Sequence, residues 1–373
     1  MPARVASPPA REDHGPGRRV RLIAFGTVVA AAVAGTAAYV LTRPGSKVGA
    51  ASTIAQTSLT TVEQSPYYLF RSTALDRNYG RIALTSQVSP GATEALTPLK
   101  CDRVSYAAGS GLCLVRSGTG FLSSTKAVLF DADFKTVGSV TLDGYPSRAR
   151  VSPDGHYGAT TTFVRGDTYA TAGSFSTRTD ITDMRTHQDV LHLEKLKVTK
   201  DGKTFSRVDF NFWGVTFAAD DATFYATLGS GGTTYLIRGD IATGTATVLT
   251  QGVECPSLSP DGTRIAFKQR VPGAVISWRP AVLDLATLQR HDLAETRDVD
   301  DQIAWLDDAT VTYGLPTSVA DLTQAGASTP DVSALITGGS IATDTWAVPA
   351  DGSGSPRELL SGSWSVTTVT PAA

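Results

Sequence analysis

Cysteine, methionine and histidine are scarce in this chain, at 3, 2 and 5 among 373 residues, and charged residues make up only 18%. Three cysteines are too few for the disulfide framework of a small secreted scaffold, and their odd number leaves at least one thiol unpaired in a monomer. The histidines (His14, His156, His187, His192 and His291) never fall into HExxH or a Cys/His zinc spacing, so no metal site and no cofactor is expected. No Ca²⁺-loop pattern occurs either, and Asp298, Asp300, Asp301, Asp307 and Asp308 read as solvated turns. The G-x-S-x-G nucleophile elbow is missing, which excludes the serine-hydrolase chemistry that motif carries, and no catalytic residue is assigned. Beyond Arg43 the chain has no basic run longer than a few residues and acidic groups outnumber basic ones, so nucleic acid is not an expected partner.

Long apolar runs are limited to one. Residues 22–41, LIAFGTVVAAAVAGTAAYVL, carry no charge and as a helix would rise about 30 Å, the thickness of a bilayer core. Arg4, Arg11, Arg18, Arg19 and Arg21 precede the run, so the positive-inside rule predicts a cytoplasmic tail over 1–21 and an exported remainder. The expected order is a disordered tail (1–21), a single-pass signal-anchor helix (22–42), a linker (43–66) and a main domain (67–371). Cleavage near Ala50, giving a secreted protein, is the alternative. Either way the domain is extracytoplasmic.

What fills 67–371 is all-β: short runs rich in Val, Thr, Phe, Tyr and Leu between Gly, Asp, Pro and Ser turns, with only 188–197 ambiguous. The frame repeats. Ser259-Pro260-Asp261-Gly262 precedes RIAF (264–267), and Ser152-Pro153-Asp154-Gly155 precedes HYGATTTF (156–163); 217–228, 304–315 and 106–115 keep the same layout. A second hairpin follows each turn, as in TTYLIRGDIATGTATVLT (233–250), so each unit has four antiparallel strands. Units of this kind at such spacing predict a β-propeller. Five complete units span 101–143, 146–194, 208–250, 254–294 and 300–361. A sixth joins 365–370 to 67–73, 81–87 and 93–98, closing the ring between the two ends of the domain. Seven blades is the alternative, should 164–207 hide another sheet.

These residues, LSPDGTRIAF (258–267) above all, resemble the propeller repeats of the TolB-like family over roughly 67–370. The resemblance implies a six-bladed propeller with protein partners in the bacterial envelope, and the excess of Arg over Lys fits a high-GC bacterium. It does not extend to a separate amino-terminal α/β domain, for which residues 43–66 leave no room.

In such a ring the tight Asp-Gly and Thr-Gly turns share one face. The longer connections (164–173, 195–207, 271–277 and 315–342) share the other, which is the expected binding face. The inner strands start on that loop-rich face, so Asp102, Arg103, Arg148, Asp209, Asn211, Glu254, Asp301, Gln302 and Trp364 are expected to ring the channel mouth. A mixed ring of charges with an aromatic suits a peptide or small polar ligand. The leading reading is therefore a non-enzymatic, membrane-anchored propeller that binds a protein, peptide or envelope component. The alternative is a lyase- or hydrolase-type propeller enzyme using carboxylates such as Asp209, Glu254 and Asp301. In VDFNFWGVTF (208–217), alternation sets Phe210 and Phe212 opposite Trp213 as blade-packing residues.

Cys101 and Cys113 form the natural disulfide pair of an exported domain. The hairpin register, however, sets Cys113 opposite Ser105 and leaves Cys101 roughly 13 Å away at strand rise. A disulfide spans about 7 Å between Cα atoms, so a bridge requires a bulge or fold-back near Cys101, with buried thiols as the other outcome.

Overall fold

The computed structural model describes residues 53–117, 124–166, 175–273, 276–317 and 342–371. The expected membrane span at 22–42 lies outside them, as does most of the 315–342 connection. Among the described residues no helix is long and apolar enough to cross a membrane.

Six antiparallel sheets make up the propeller. The first blade is composite: Ser363–Val369 is its inner strand, followed outward by Tyr67–Ser72, Arg81–Ser86 and Thr93–Lys100. The second runs from Arg103–Ala107 outward to Thr136–Leu142, and the third from Tyr145–Val151 to Gln188–His192. The fourth runs from Asn211–Phe217 to Thr245–Gln251, the fifth from Glu254–Leu258 to Arg290–Asp292, and the sixth from Ala304–Asp307 to Arg357–Leu360. Closure joins the two ends of the domain, with Tyr67 opposite Val369, Leu69 opposite Thr367 and Ser72 opposite Ser363. That pairing removes the free sheet edges an open ring would expose.

The repeated turn holds itself together. Ser259 Oγ donates to Asp261 Oδ1, which also accepts from Thr263 N, while Arg264 N donates back to Ser259 Oγ at 3.0 Å. Ser152, Asp154, His156 and Tyr157 repeat this network in the third blade. The final residue of each turn adopts a left-handed φ (+71° at Gly262, +77° at Gly155), which glycine accepts without the Cβ clash. Between blades the core is apolar: Leu112 and Leu129 pack with Val151 and Met184, and Phe212 and Phe224 with Ile181 and Ile237. Phe210 packs with Phe212, whereas Trp213 belongs to a separate cluster with Phe163, Cys255 and Trp278, as alternation predicts.

Four details depart from the sequence reading. Residues 195–207 are not an open loop: Lys197–Lys200 and Lys203–Phe205 form a hairpin that lengthens the outer edge of the fourth blade, pairing parallel with Thr245–Thr247. The described part of 164–207 thus adds its strands to existing blades. The linker is partly structured too, since Ala55–Gln56 pairs with Thr93–Glu94 and Leu59–Val62 forms a helical turn capped by Ser58. His187, which the sequence sets five residues before His192 as part of one strand, sits in a turn at φ +60°. Finally, Cys101 and Cys113 are disulfide-bonded, with Cα atoms 5.4 Å apart. Cys113 faces Val104 rather than Ser105, and the strand starts only at Arg103. Cys101 lies before it, its N–H bonded to Gly80 O of the first blade, so the chain turns back there instead of running on along the ladder. Cys255 is free and buried.

Candidate functional site

A cavity of about 960 Å³ opens at the tight-turn end of the channel, where the inner strands finish. Val151, Phe217, Leu258 and Thr367 mark those strand ends, and Tyr106, Tyr225 and Trp305 add aromatic wall. The funnel narrows to a throat of about 50 Å³ lined by Arg103, Arg148, Arg150, Asp301, Gln302 and Ser365. Ser105, Arg150 and Thr367 belong to both spaces, so the two are continuous.

Inner-strand bulges shape this bore. Gly214, Cys255 and Ser365 all take left-handed φ values, +66°, +48° and +56°, and each lies at a register shift or beside one. At Gly214 a Cβ would come within 2.7 Å of Cys255 Cα, so neighbouring inner strands approach too closely there for any side chain. Non-glycine residues in this conformation are strained and persist because the surrounding packing holds them.

Each throat side chain has a defined role. Arg103 stacks 4.0 Å above the Trp364 ring while its Nε donates to Ser147 O at 2.8 Å. Burial, with Arg148 close by, pulls the Arg103 guanidinium down to about 10, so it stays charged at neutral pH. Arg148 donates to Ser147 O and lies 3.7 Å from Asp300, which also pairs with the fully buried Lys268. Burial opposes the charge on Asp300, but Lys268 and Arg148 outweigh it and hold the carboxyl below its ordinary range. Asp301 accepts from Gly314 N and Gln302 N at 2.9 and 2.8 Å, and Gln302 donates to Val215 O. Arg150 Nη2 reaches Ser257 Oγ and Ile303 O only at 3.4 and 3.3 Å, and its buried Nε has no hydrogen-bond partner.

Of the residues expected at the mouth, the structure brings together Arg103, Arg148, Asp301 and Gln302, with Trp364 beneath Arg103. The other four do not line the throat: Asp102, next to Arg103 in sequence, accepts from Arg116 N at 3.0 Å. Glu254 is wholly buried and paired with Arg270 at 2.5 Å. Asp209 accepts from Ser230 Oγ and Gly231 N, and Asn211 ties to Thr177 and Phe175 of the third blade. Both line a smaller cavity of about 230 Å³ on the loop-rich face. Sequence reasoning missed Arg150, although strand alternation places it on the same face as Arg148 two residues before it. It also missed the funnel, because Tyr106, Tyr225 and Trp305 come from three separate repeats and no local pattern links them.

Among the described residues two groups could offer metal ligands, Asp154–His156–Asp221 and Asp180–Asp189–His192, with donor atoms within 4.8 Å of one another in each. Both are already knitted internally. His156 bonds Asp221 and Asp183, and Asp180 is shared by His192 and Arg178.

No protein-family model and no curated protein matches the sequence. Solved structures can be aligned with this one. TolB from Acinetobacter baumannii aligns at 17% identity with a TM-score of 0.47, covering 79% of this chain and 66% of that one. This chain thus spans just under two thirds of that protein's length. A protein of Agrobacterium tumefaciens described as a TolB aligns at 12% identity and a TM-score of 0.44, covering 80% and 90%. An oligogalacturonate lyase in complex with manganese aligns at 8% identity and a TM-score of 0.41, covering 64% and 71%.

Proposed function

We propose that this chain is a non-enzymatic binding propeller, anchored in the membrane by residues 22–42 and displayed outside the cytoplasm, that receives a peptide segment of an envelope protein in its funnel. The observation that carries the reading is the funnel itself: about 960 Å³ of open space with tyrosine, tryptophan and threonine walls and an arginine-lined floor. Concave, amphipathic walls of this kind suit an extended peptide better than a flat protein face. The three carboxylates that an acid–base enzyme would use do not converge. Asp301 is in the throat, Glu254 is buried against Arg270, and Asp209 lines a different cavity.

A cross-linked pull-down from intact envelopes tests this proposal. The full chain is compared with Ala219→Trp, which fills the funnel from an exposed rim position, and with a version lacking 318–340. The reading predicts a specific partner that is lost with Ala219→Trp and kept in the deletion. A partner lost only in the deletion would move the site to the loop-rich face.

A further inference from the structure

The throat carries more positive charge than it neutralises. Arg71, Arg103, Arg148, Arg150 and Lys268 are grouped around it, against Asp102, Asp300 and Asp301. These carboxylates are already engaged: Asp300 with Lys268 and Arg148, Asp301 with two backbone amides, and Asp102 with Arg116 N. Buried cations are ordinarily paired, because an uncompensated charge in a low-dielectric site is costly. Arg150 is half-buried and feels the charge of Asp301, but among the described residues it has no carboxylate within ion-pair distance. It belongs to both funnel and throat, its Nη2 contacts are long, and its buried Nε donates to nothing.

The geometry points to a carboxylate-recognition site, in which the carboxylate of a peptide lying in the funnel is received at the throat by the Arg150 guanidinium. This inference rests on the peptide-binding reading above and names the chemistry of the ligand's leading end. Three observations favour a carboxylate. The planar fork of arginine matches the two oxygens of a carboxylate, so the free Nε can share a bidentate pair with an Nη. A throat of about 50 Å³ has room for a terminal group but not for a chain passing through. Asp301, fixed in the same throat, sets a repulsive limit that a singly charged group meets better than a doubly charged phosphate. Arg103, stacked on Trp364, lines the same throat. The group can come from a peptide C-terminus or from an Asp or Glu side chain.

The experiment uses the immobilised full chain and three randomised pentapeptide pools. One has free C-termini and no acidic residues, one has amidated C-termini with Asp and Glu present, and one is amidated without acidic residues. Recovered peptides are quantified by mass spectrometry on the wild-type protein and on Arg150→Met. The expected result is recovery of the first or the second pool about tenfold over the third, lost in Arg150→Met. Enrichment of the first pool identifies a chain terminus as the source, and enrichment of the second identifies a side chain. Equal recovery of all three pools would overturn the carboxylate inference while leaving a peptide-binding funnel in place. Recovery of none would overturn both. A second readout needs no ligand: Arg150→Met should raise the melting temperature of the free protein by removing a half-buried guanidinium whose Nε has no partner. A fall would show that Arg150 is a structural tie.

Discussion

His156 and Asp221 join the turns of two neighbouring blades, the imidazole Nδ1 lying 2.7 Å from a carboxylate oxygen. Its Nε2 faces Asp183 at 3.3 Å, and Arg185 also approaches that nitrogen. Burial disfavours the charged ring, but the hydrogen bonds to Asp221 and Asp183 outweigh it, and the histidine is raised above its ordinary 6.5. A histidine that binds its proton more tightly when folded contributes stability that is complete below the unfolded value and fades as pH rises through the folded one. Wild type should therefore exceed His156→Asn in urea midpoint most clearly near about pH 6, with the gap narrowing toward about pH 8. A gap that widened with pH would contradict this assignment.

The Cys101–Cys113 bridge ties the start of the second blade to its own second strand over a separation of 12 residues. A loop of that size restricts the unfolded chain by roughly 2–3 kcal/mol. Guanidinium unfolding with and without reductant should show a loss of this order, and Cys101→Ser with Cys113→Ser should remove the reductant effect. Cys255, buried and unpaired, should stay unmodified by thiol reagents until the domain unfolds.

The architecture was legible in the chain because the Ser-Pro-Asp-Gly turns repeat a local hydrogen-bond network, and local networks leave a local signature. Asp154 and Asp261 each accept from a serine and a downstream amide within their own turn. Even the composite first blade could be deduced, since an inner strand at 363–369 and three outer strands at 67–100 were each incomplete alone. The site was legible only in part. Placing charged residues at the starts of the inner strands located Arg103, Arg148, Asp301 and Gln302. The shape of the bore depends on bulges such as those at Cys255 and Ser365, and no residue pattern announces them. The disulfide stayed open in the sequence for the same reason: a ladder extrapolated past Arg103 does not show the turn toward Gly80.

The seam that closes the ring should be a point of vulnerability. Leu69 is fully buried where the first blade pairs strands from the two ends of the domain. Leu69→Ala should cost about 2–5 kcal/mol, while Val88→Ala at an exposed position should stay within about 0.5 kcal/mol. Chemical denaturation of both variants checks the contrast, and equal effects would show that the seam is not integral to the fold.

Site-specific photo-cross-linking on intact envelopes tests the central claim, that ligands enter through the funnel, most directly. A photoreactive residue at Ala219 reports on the funnel rim, and one at Val208, fully exposed, reports on the loop-rich face. The account predicts a discrete cross-linked partner from position 219 and none from position 208. A partner captured from 208 alone would contradict it.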